Sequence, residues 1–276
     1  MLENFIFENH LEQKLIGLEN GVYLNSNDLR DYSWNYDTLN GRISRFYKGI
    51  KNRKIPLIVY CNSDEKAVEI KNRITELAEA DIEEKIPGKI FIGDYYLNGF
   101  ITDSKKTDYN LKKRLCRIEL TVTTDDDYWY SAKKHIFAAG DNEAGTLGGN
   151  TDYPFDYEYD YALPLKGRKI ICDNIGKSAF QLLIYGEAVN PTVIIGGNTY
   201  SIEGTVSKGE TLLIDSLTKT ITLTTAYGNK VNWFDKRSRK QYIFEPIPSG
   251  QHTVSWLGTF GFDLTVIEKR SEPKWT

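Results

Sequence analysis

The sequence predicts a mainly β protein in two parts, an α+β domain with one helix followed by a β-sandwich. Three observations predict it. One stretch alone has sustained helical periodicity, alternating apolar runs flank it, and from about Lys166 onward such runs are separated only by turn residues. A length of 276 residues suits two domains better than one, and 40% hydrophobic residues can fill a core in each. Tyrosine contributes 18 residues, a bias that fits β structure and partly wet interfaces.

The first domain is placed at residues 1–135. Its helix is "SDEKAVEIKNRITELAEADIEEK". Ser63 is the N-cap, Asp64 and Glu65 in the first turn complement the helix dipole, and Ala67, Ile70, Ile74, Leu77 and Ala78 fall on one face. Pro87-Gly88 stops it. "KIPLIVYC" is a short buried strand. "KIFIGDYYLNGFITD" and "RLCRIELTVTT" flank the polar loop "SKKTDYNLKK" as a hairpin. In the last of these Cys116, Ile118, Leu120 and Val122 alternate with Arg117, Glu119 and Thr121, giving one buried and one wet face.

Residues 136–165 are expected to be a linker and edge strand. "AAGDNEAGTLGGN" is rich in Gly, Asn and small residues. "DYPFDYEYDYA" sets Phe155, Tyr157, Tyr159 and Tyr161 against Asp156, Glu158 and Asp160. The plainer reading is an edge strand covering a sandwich; the sharper is a partner-binding surface, because tyrosines are good interface anchors. Residues 166–276 then read as short strands between Gly, Asn, Pro and Ser turns, a sandwich of the jelly-roll or lectin-like kind. Gly197-Asn198 signals a tight hairpin, and Gly258 to Gly261 a looser one.

Several functions are excluded or left without support. The net charge of −3 argues against a general nucleic-acid binder. No apolar stretch is long enough to cross a membrane, and "MLENFIFENHLEQK" lacks the pattern of a signal peptide. Cys61, Cys116 and Cys172 sit far apart in strand-like segments and read as buried small hydrophobes of a reducing cytoplasm, not as metal ligands. His10, His135 and His252 stand alone, and no nucleophile elbow, zinc-protease, P-loop or dinucleotide motif occurs. Asp125, Asp126 and Asp127 could suit Ca²⁺, but loop spacing and glycine are missing and a solvated strand end is the better reading. The lysines of "GIKNRK" and "LKKR" read as a solvated face. No pair among the many carboxylates is marked out as a glycosidase pair. No enzyme, cofactor or metal is therefore expected.

A series of phrases nevertheless carries a resemblance. "LTVTTDDDYWYS" closes the first domain, followed by "NIGKSAFQLLIYGEAVNPTVIIGG", "KGETLLIDSLTKTITL" and "PIPSGQHTVSW", and the sequence closes on "EKRSEPKW". In this order the chain resembles, over nearly its whole length, the distal tail protein (Dit) family of long-tailed, non-contractile bacteriophages (siphophages). The resemblance implies a structural virion protein made in the bacterial host cytoplasm and built into the tail tip, or carried by a prophage. Its N-terminal domain would form a homohexameric ring continuing the tail-tube channel. Its C-terminal domain would be a galectin-like β-sandwich projecting outward, where receptor-binding or other baseplate proteins attach. Implied partners are itself, the tail-tube protein, and tail-associated and receptor-binding proteins, with DNA passing through the ring without specific binding.

Two alternatives accompany this reading, a carbohydrate-binding β-sandwich module and a tail-tube subunit. "VNWFDKRSR" offers Asn232, Trp233 and Arg237, but the residue spacing of a galectin sugar site is missing. The C-terminal sandwich argues against a tube subunit, which the first half alone could build. Candidate interface or docking residues are Trp275, Tyr157, Tyr159, Tyr161 and Trp129. The final strand, with Phe260, Phe262, Leu264 and Val266 facing inward, is expected to lead the chain back, so that Trp275 is buried against the first domain or a neighbouring subunit and fixes the two domains.

Overall fold

The computed structural model describes residues 4–108, 114–140 and 166–275. The chain forms two compact units, one of Met1–Ser131 with Lys269–Thr276 and one of Ala132–Glu268. The architecture is mainly β with a single α-helix among the described residues.

The first unit contains β1 (Ile6–Glu8), β2 (Lys14–Ile16), β3 (Val22–Leu24), β4 (Asn35–Leu39), β5 (Arg42–Tyr47), β6 (Lys51–Tyr60), α1 (Asp64–Glu84), β7 (Gly88–Ile92), β8 (Tyr95–Asp108), β9 (Leu115–Thr124) and the start of β10 (Trp129–Phe137). Antiparallel pairing runs β2-β1-β7-β8-β9-β6-β3, and β10 pairs with β8 through Trp129–Leu97 and Tyr130–Tyr96. The expected helix forms as read. The Ser63 hydroxyl accepts from the Lys66 amide at 3.2 Å, and Ala67, Ile70, Ile74, Leu77 and Ala78 are buried. Lys85 in the left-handed conformation caps its end just before Pro87. The β8–β9 hairpin also forms, its loop at 109–113 lying outside the described residues. "KIPLIVYC" belongs to a longer strand, β6, whose buried series begins at a charged residue, Arg53, and continues through Ile55, Leu57 and Val59.

The second unit is a sandwich of β11 (Lys166–Cys172), β12 (Ala179–Tyr185), β13 (Ala188–Val189), β14 (Thr192–Ile195), β15 (Asn198–Ser201), β16 (Thr205–Val206), β17 (Thr211–Asp215), β18 (Thr220–Thr224), β19 (Lys230–Asn232), β20 (Gly250–Trp256) and most of β21 (Gly261–Arg270). One sheet runs β19-β18-β17-β12-β21 and the other β11-β20-β14-β15, with β13 paired to β16. Between the sheets, Phe137 stacks on Phe262 at 4.5 Å with Trp256 edge-on to both, and Phe260, Leu264 and Val266 complete that core. Two turn assignments change. The β14–β15 loop is Gly196-Gly197, because Ile195 already pairs with Asn198 and both glycines have positive φ. The segment Gly258–Gly261 joins strands of opposite sheets and so is no hairpin. Cys61, Cys116 and Cys172 are free and buried, and burial pushes the Cys61 and Cys172 thiols above their ordinary pKa.

Candidate assembly surface

Arg53 organises one end of the first unit. Strand alternation aims it inward, where it is fully enclosed. A buried guanidinium must be paired and hydrogen-bonded throughout, and here it is. Its Nε donates to Asp127 Oδ1 at 3.0 Å, and its terminal nitrogens donate to the same carboxylate and to the carbonyls of Asp28 (2.7 Å), Leu29 (3.1 Å) and Asp31. One side chain thereby ties the segment 28–31 to the turn after β9. Lys48 approaches Asp127 from the other side, its Nζ 2.7 Å from the carbonyl and 3.4 Å from Oδ2. Three rings surround that ammonium, Tyr128 at 4.4 Å, Trp34 at 5.2 Å and Tyr32 at 5.8 Å. Burial pushes the Lys48 pKa below its ordinary value, against the opposing pull of Asp127.

This corrects the reading of the acidic run as a solvated strand end. Only Asp125 is exposed; Asp127 is sealed between two cations, and Asp126 accepts from the Tyr130 hydroxyl and pairs with Lys269 at 3.2 Å. Burial and that hydrogen bond push the Tyr130 pKa well up. Asp126 and Asp127 are thus already engaged by protein groups, and no grouping of three or more metal-binding side chains occurs among the described residues. Of the "GIKNRK" lysines, Lys54 is exposed and Lys51 half-buried, and residues 111–113 of "LKKR" lie outside the described residues; what the reading of that stretch left out is the buried Arg53. Its signal was its place in phase with Ile55, Leu57 and Val59.

The Lys48–Asp127 clamp roots a feature that sequence reading passed over. β4 and β5 form a two-stranded hairpin about Asn40-Gly41, with φ of 50° and 76°, the pair of left-handed residues that a tight hairpin turn needs. The dipeptide itself was the missed signal. Register places Tyr36 opposite Phe46 and Thr38 opposite Ile43, so with Trp34 they make one apolar face; Asn35, Asp37, Arg42 and Arg45 lie on the other with Leu39 and Tyr47. Every residue from Asp31 to Tyr47 is exposed, including Tyr36 at 59%, Ile43 at 53% and Phe46 at 58%. Trp34 at the root packs edge-on against Phe46 and Tyr128.

The C-terminal segment completes this end. Lys269 lies over the Tyr128 ring at 3.7 Å, and Arg30 donates to the Pro273 carbonyl at 3.0 Å while its guanidinium stacks on Trp275 at 4.0 Å. Of the two expected covers for Trp275, its own first unit supplies only the Arg30 guanidinium. Trp275 is 74% exposed because one guanidinium covers one ring face only, and it borders an open cavity of about 750 Å³ with Ser26, Asn27, Asp31, Tyr32 and Glu272. Trp129 lies fully enclosed in the first unit's core, which leaves it no surface to offer a partner. Tyr157, Tyr159 and Tyr161 lie outside the described residues. A second open pocket, about 660 Å³, lies where α1 ends, lined by Ile82, Lys85, Pro87, Phe100, Thr102 and Asp125.

Compared with solved structures, the chain matches end to end. It covers 96% of itself and 98% of the SPP1 Dit protein, described as a paradigm of the hub adsorption apparatus in phages infecting Gram-positive bacteria, with a TM-score of 0.56 at 9% identity. The fold is that of the SPP1 Dit protein. A chain of the phage P2 baseplate in its activated conformation with Ca is similar to this chain at a TM-score of 0.60 and 12% identity, over 99% of this chain and all of that one. The same baseplate with Sr gives 0.59 at 13% identity, over 99% of this chain. No family model and no curated protein matches in sequence. The Dit fold thus spans both units, the α+β first part and the sandwich alike.

Proposed function

We propose that the protein is a structural hub of a phage tail tip, with no catalytic role. In this reading the first unit assembles into a homohexameric ring that continues the tail tube and leaves a channel for DNA. The sandwich offers its surface to tail-associated and receptor-binding proteins. One observation carries the proposal. The likeness to an adsorption-apparatus hub and to baseplate chains runs over nearly the whole of both partners, so the combination of the two units is shared and not just one common sandwich. The surface chemistry agrees with it. A net charge of −3 suits a conduit that lets phosphates pass without gripping them, and the exposed apolar hairpin suits a protein that works in an assembly. Light scattering on the purified protein, with negative-stain images of the same sample, tests it. Rings of six, or of two stacked sixes, with a central hole are expected; a monomer at every concentration would overturn the ring.

A further inference from the structure

We infer that the basic, aromatic stretch 230–242 of the second unit is a docking surface whose occupant is the acidic, tyrosine-rich stretch 152–161 of the same chain. The basic stretch leaves β19, the edge of one sheet, and crosses to β15, the edge of the other. Its backbone is fixed on the way. The Trp233 amide donates to the Ile221 carbonyl at 2.8 Å, the Glu203 amide to the Lys236 carbonyl at 2.7 Å, and the Ser238 amide to the Ser201 carbonyl at 3.0 Å. On this firm base two rings face water. Phe234 stacks on buried Phe244 at 6.1 Å and Tyr242 meets the same ring edge-on at 5.9 Å, yet they are 37% and 52% exposed. The stretch carries Lys230, Lys236, Arg237, Arg239 and Lys240 against the single carboxylate of Asp235. Arg237 lies 3.9 Å from that carboxylate and covers the Phe234 ring at 3.9 Å. Glu245 is held by Lys177 at 2.6 Å, and exposed Glu203 is the other acid at this edge. The cations outnumber the acids that could answer them.

The chain holds the complement. "DYPFDYEYDY" has four carboxylates, five aromatic rings and no cation; it lies outside the described residues. Its charge is opposite in sign to the surface, and its rings suit both the exposed rings and the lysine and arginine heads beside them. Reach permits the contact. Gly140, before the acidic stretch, donates to the Gly258 carbonyl at 3.0 Å, and Lys166, after it, pairs with Trp256. From Trp256 the register runs through Val193 to Tyr200 of β15. Three strand spacings, roughly 14 Å, therefore separate Lys166 from β15, and the chain from Tyr161 to Lys166 spans up to about 17 Å. Both anchors belong to the same unit as the surface. An acidic, tyrosine-bearing segment of another protein would have to displace the chain's own.

A fluorescein-labelled peptide of residues 151–162 is the probe. It is offered to the wild-type chain and to a full chain carrying Asp152→Asn, Asp156→Asn, Glu158→Gln and Asp160→Asn. The neutralised chain is expected to bind it about tenfold or more tighter, because in the wild type a tethered competitor acts at an effective concentration on the order of a millimolar. Adding Lys236→Glu and Lys240→Glu, both at exposed positions, should abolish that binding, and raised salt should weaken it. A carbodiimide, which condenses a carboxylate with a lysine amine touching it, should link Asp156, Glu158 or Asp160 to Lys236 or Lys240 in the wild type. With isotopically light and heavy protein mixed, those links should stay within one chain. Equal binding of the peptide to both chains, or to neither, would overturn the occupancy. Binding that survives the lysine changes would overturn the location, and links between light and heavy chains would overturn docking within one chain.

Discussion

Asp127 shows how much one side chain can hold in place. It satisfies Arg53 and Lys48 together, so Asp127→Asn leaves two buried cations facing a neutral amide. The expected cost is about 3–5 kcal/mol, the usual penalty for orphaning a buried charge, read as a lower urea midpoint for the first unit. Asp125→Asn, two residues away and exposed, should stay within about 0.5 kcal/mol. In the sandwich, Tyr200 gives a pH signature. Burial raises its phenol from 10.0 to about 12, and its hydroxyl donates to the Glu245 carbonyl at 2.7 Å. The neutral form is the one the fold favours. Its stabilisation is therefore complete below pH 10, where the unfolded phenol is also neutral, and is lost as pH rises through about 12. Urea midpoints taken on either side of pH 10 should fall on the alkaline side, and Tyr200→Phe should flatten the fall.

At the level of elements, helix and hairpin make opposite predictions. Leu77 is fully enclosed beneath α1, so Leu77→Ala should cost about 2–5 kcal/mol in a thermal or urea melt. Gly41 sits at φ 76° with open space around it; Gly41→Ala should cost about 1 kcal/mol through backbone strain confined to the β4–β5 turn. The strain should show in faster amide hydrogen exchange across the hairpin, while the melt of the rest of the first unit hardly moves. These elements were unequally legible in the sequence. α1 announced itself because cap, dipole charges, apolar stripe and stop all coincide within one segment. The alternating strands around Cys116 and Phe262 were readable for the same reason, that period two needs only local residues. β4 and β5 lacked that signal, since a ribbon buried on neither face shows no clean alternation, and only Asn40-Gly41 marked it. Arg53 escaped because a buried charge is understood only through partners far along the chain, Asp127 among them. Trp275 was legible only in part: the return of the chain end to the first unit was readable, but the stacking of Arg30 on one ring face depends on a residue far along the chain.

Across the whole molecule the second unit, Ala132–Glu268, is an insertion between two pieces of the first. A fragment of residues 132–268 is continuous and should melt cooperatively by itself. Residues 1–131 alone lack Lys269, with its Asp126 and Tyr128 contacts, and lack the Pro273 and Trp275 partners of Arg30. That fragment should be less stable than the first unit in the full chain, as differential scanning calorimetry would show. The same interleaving sets a clock during synthesis. Lys269–Trp275 leaves the ribosome only after the entire sandwich, on the order of ten seconds or more behind the rest of its own unit. Until then the end of the first unit that roots the hairpin is unfinished. In the ring proposed above, neighbouring nascent chains on one message would thus be held back from joining until each has its sandwich in place, a built-in delay against premature polymerisation.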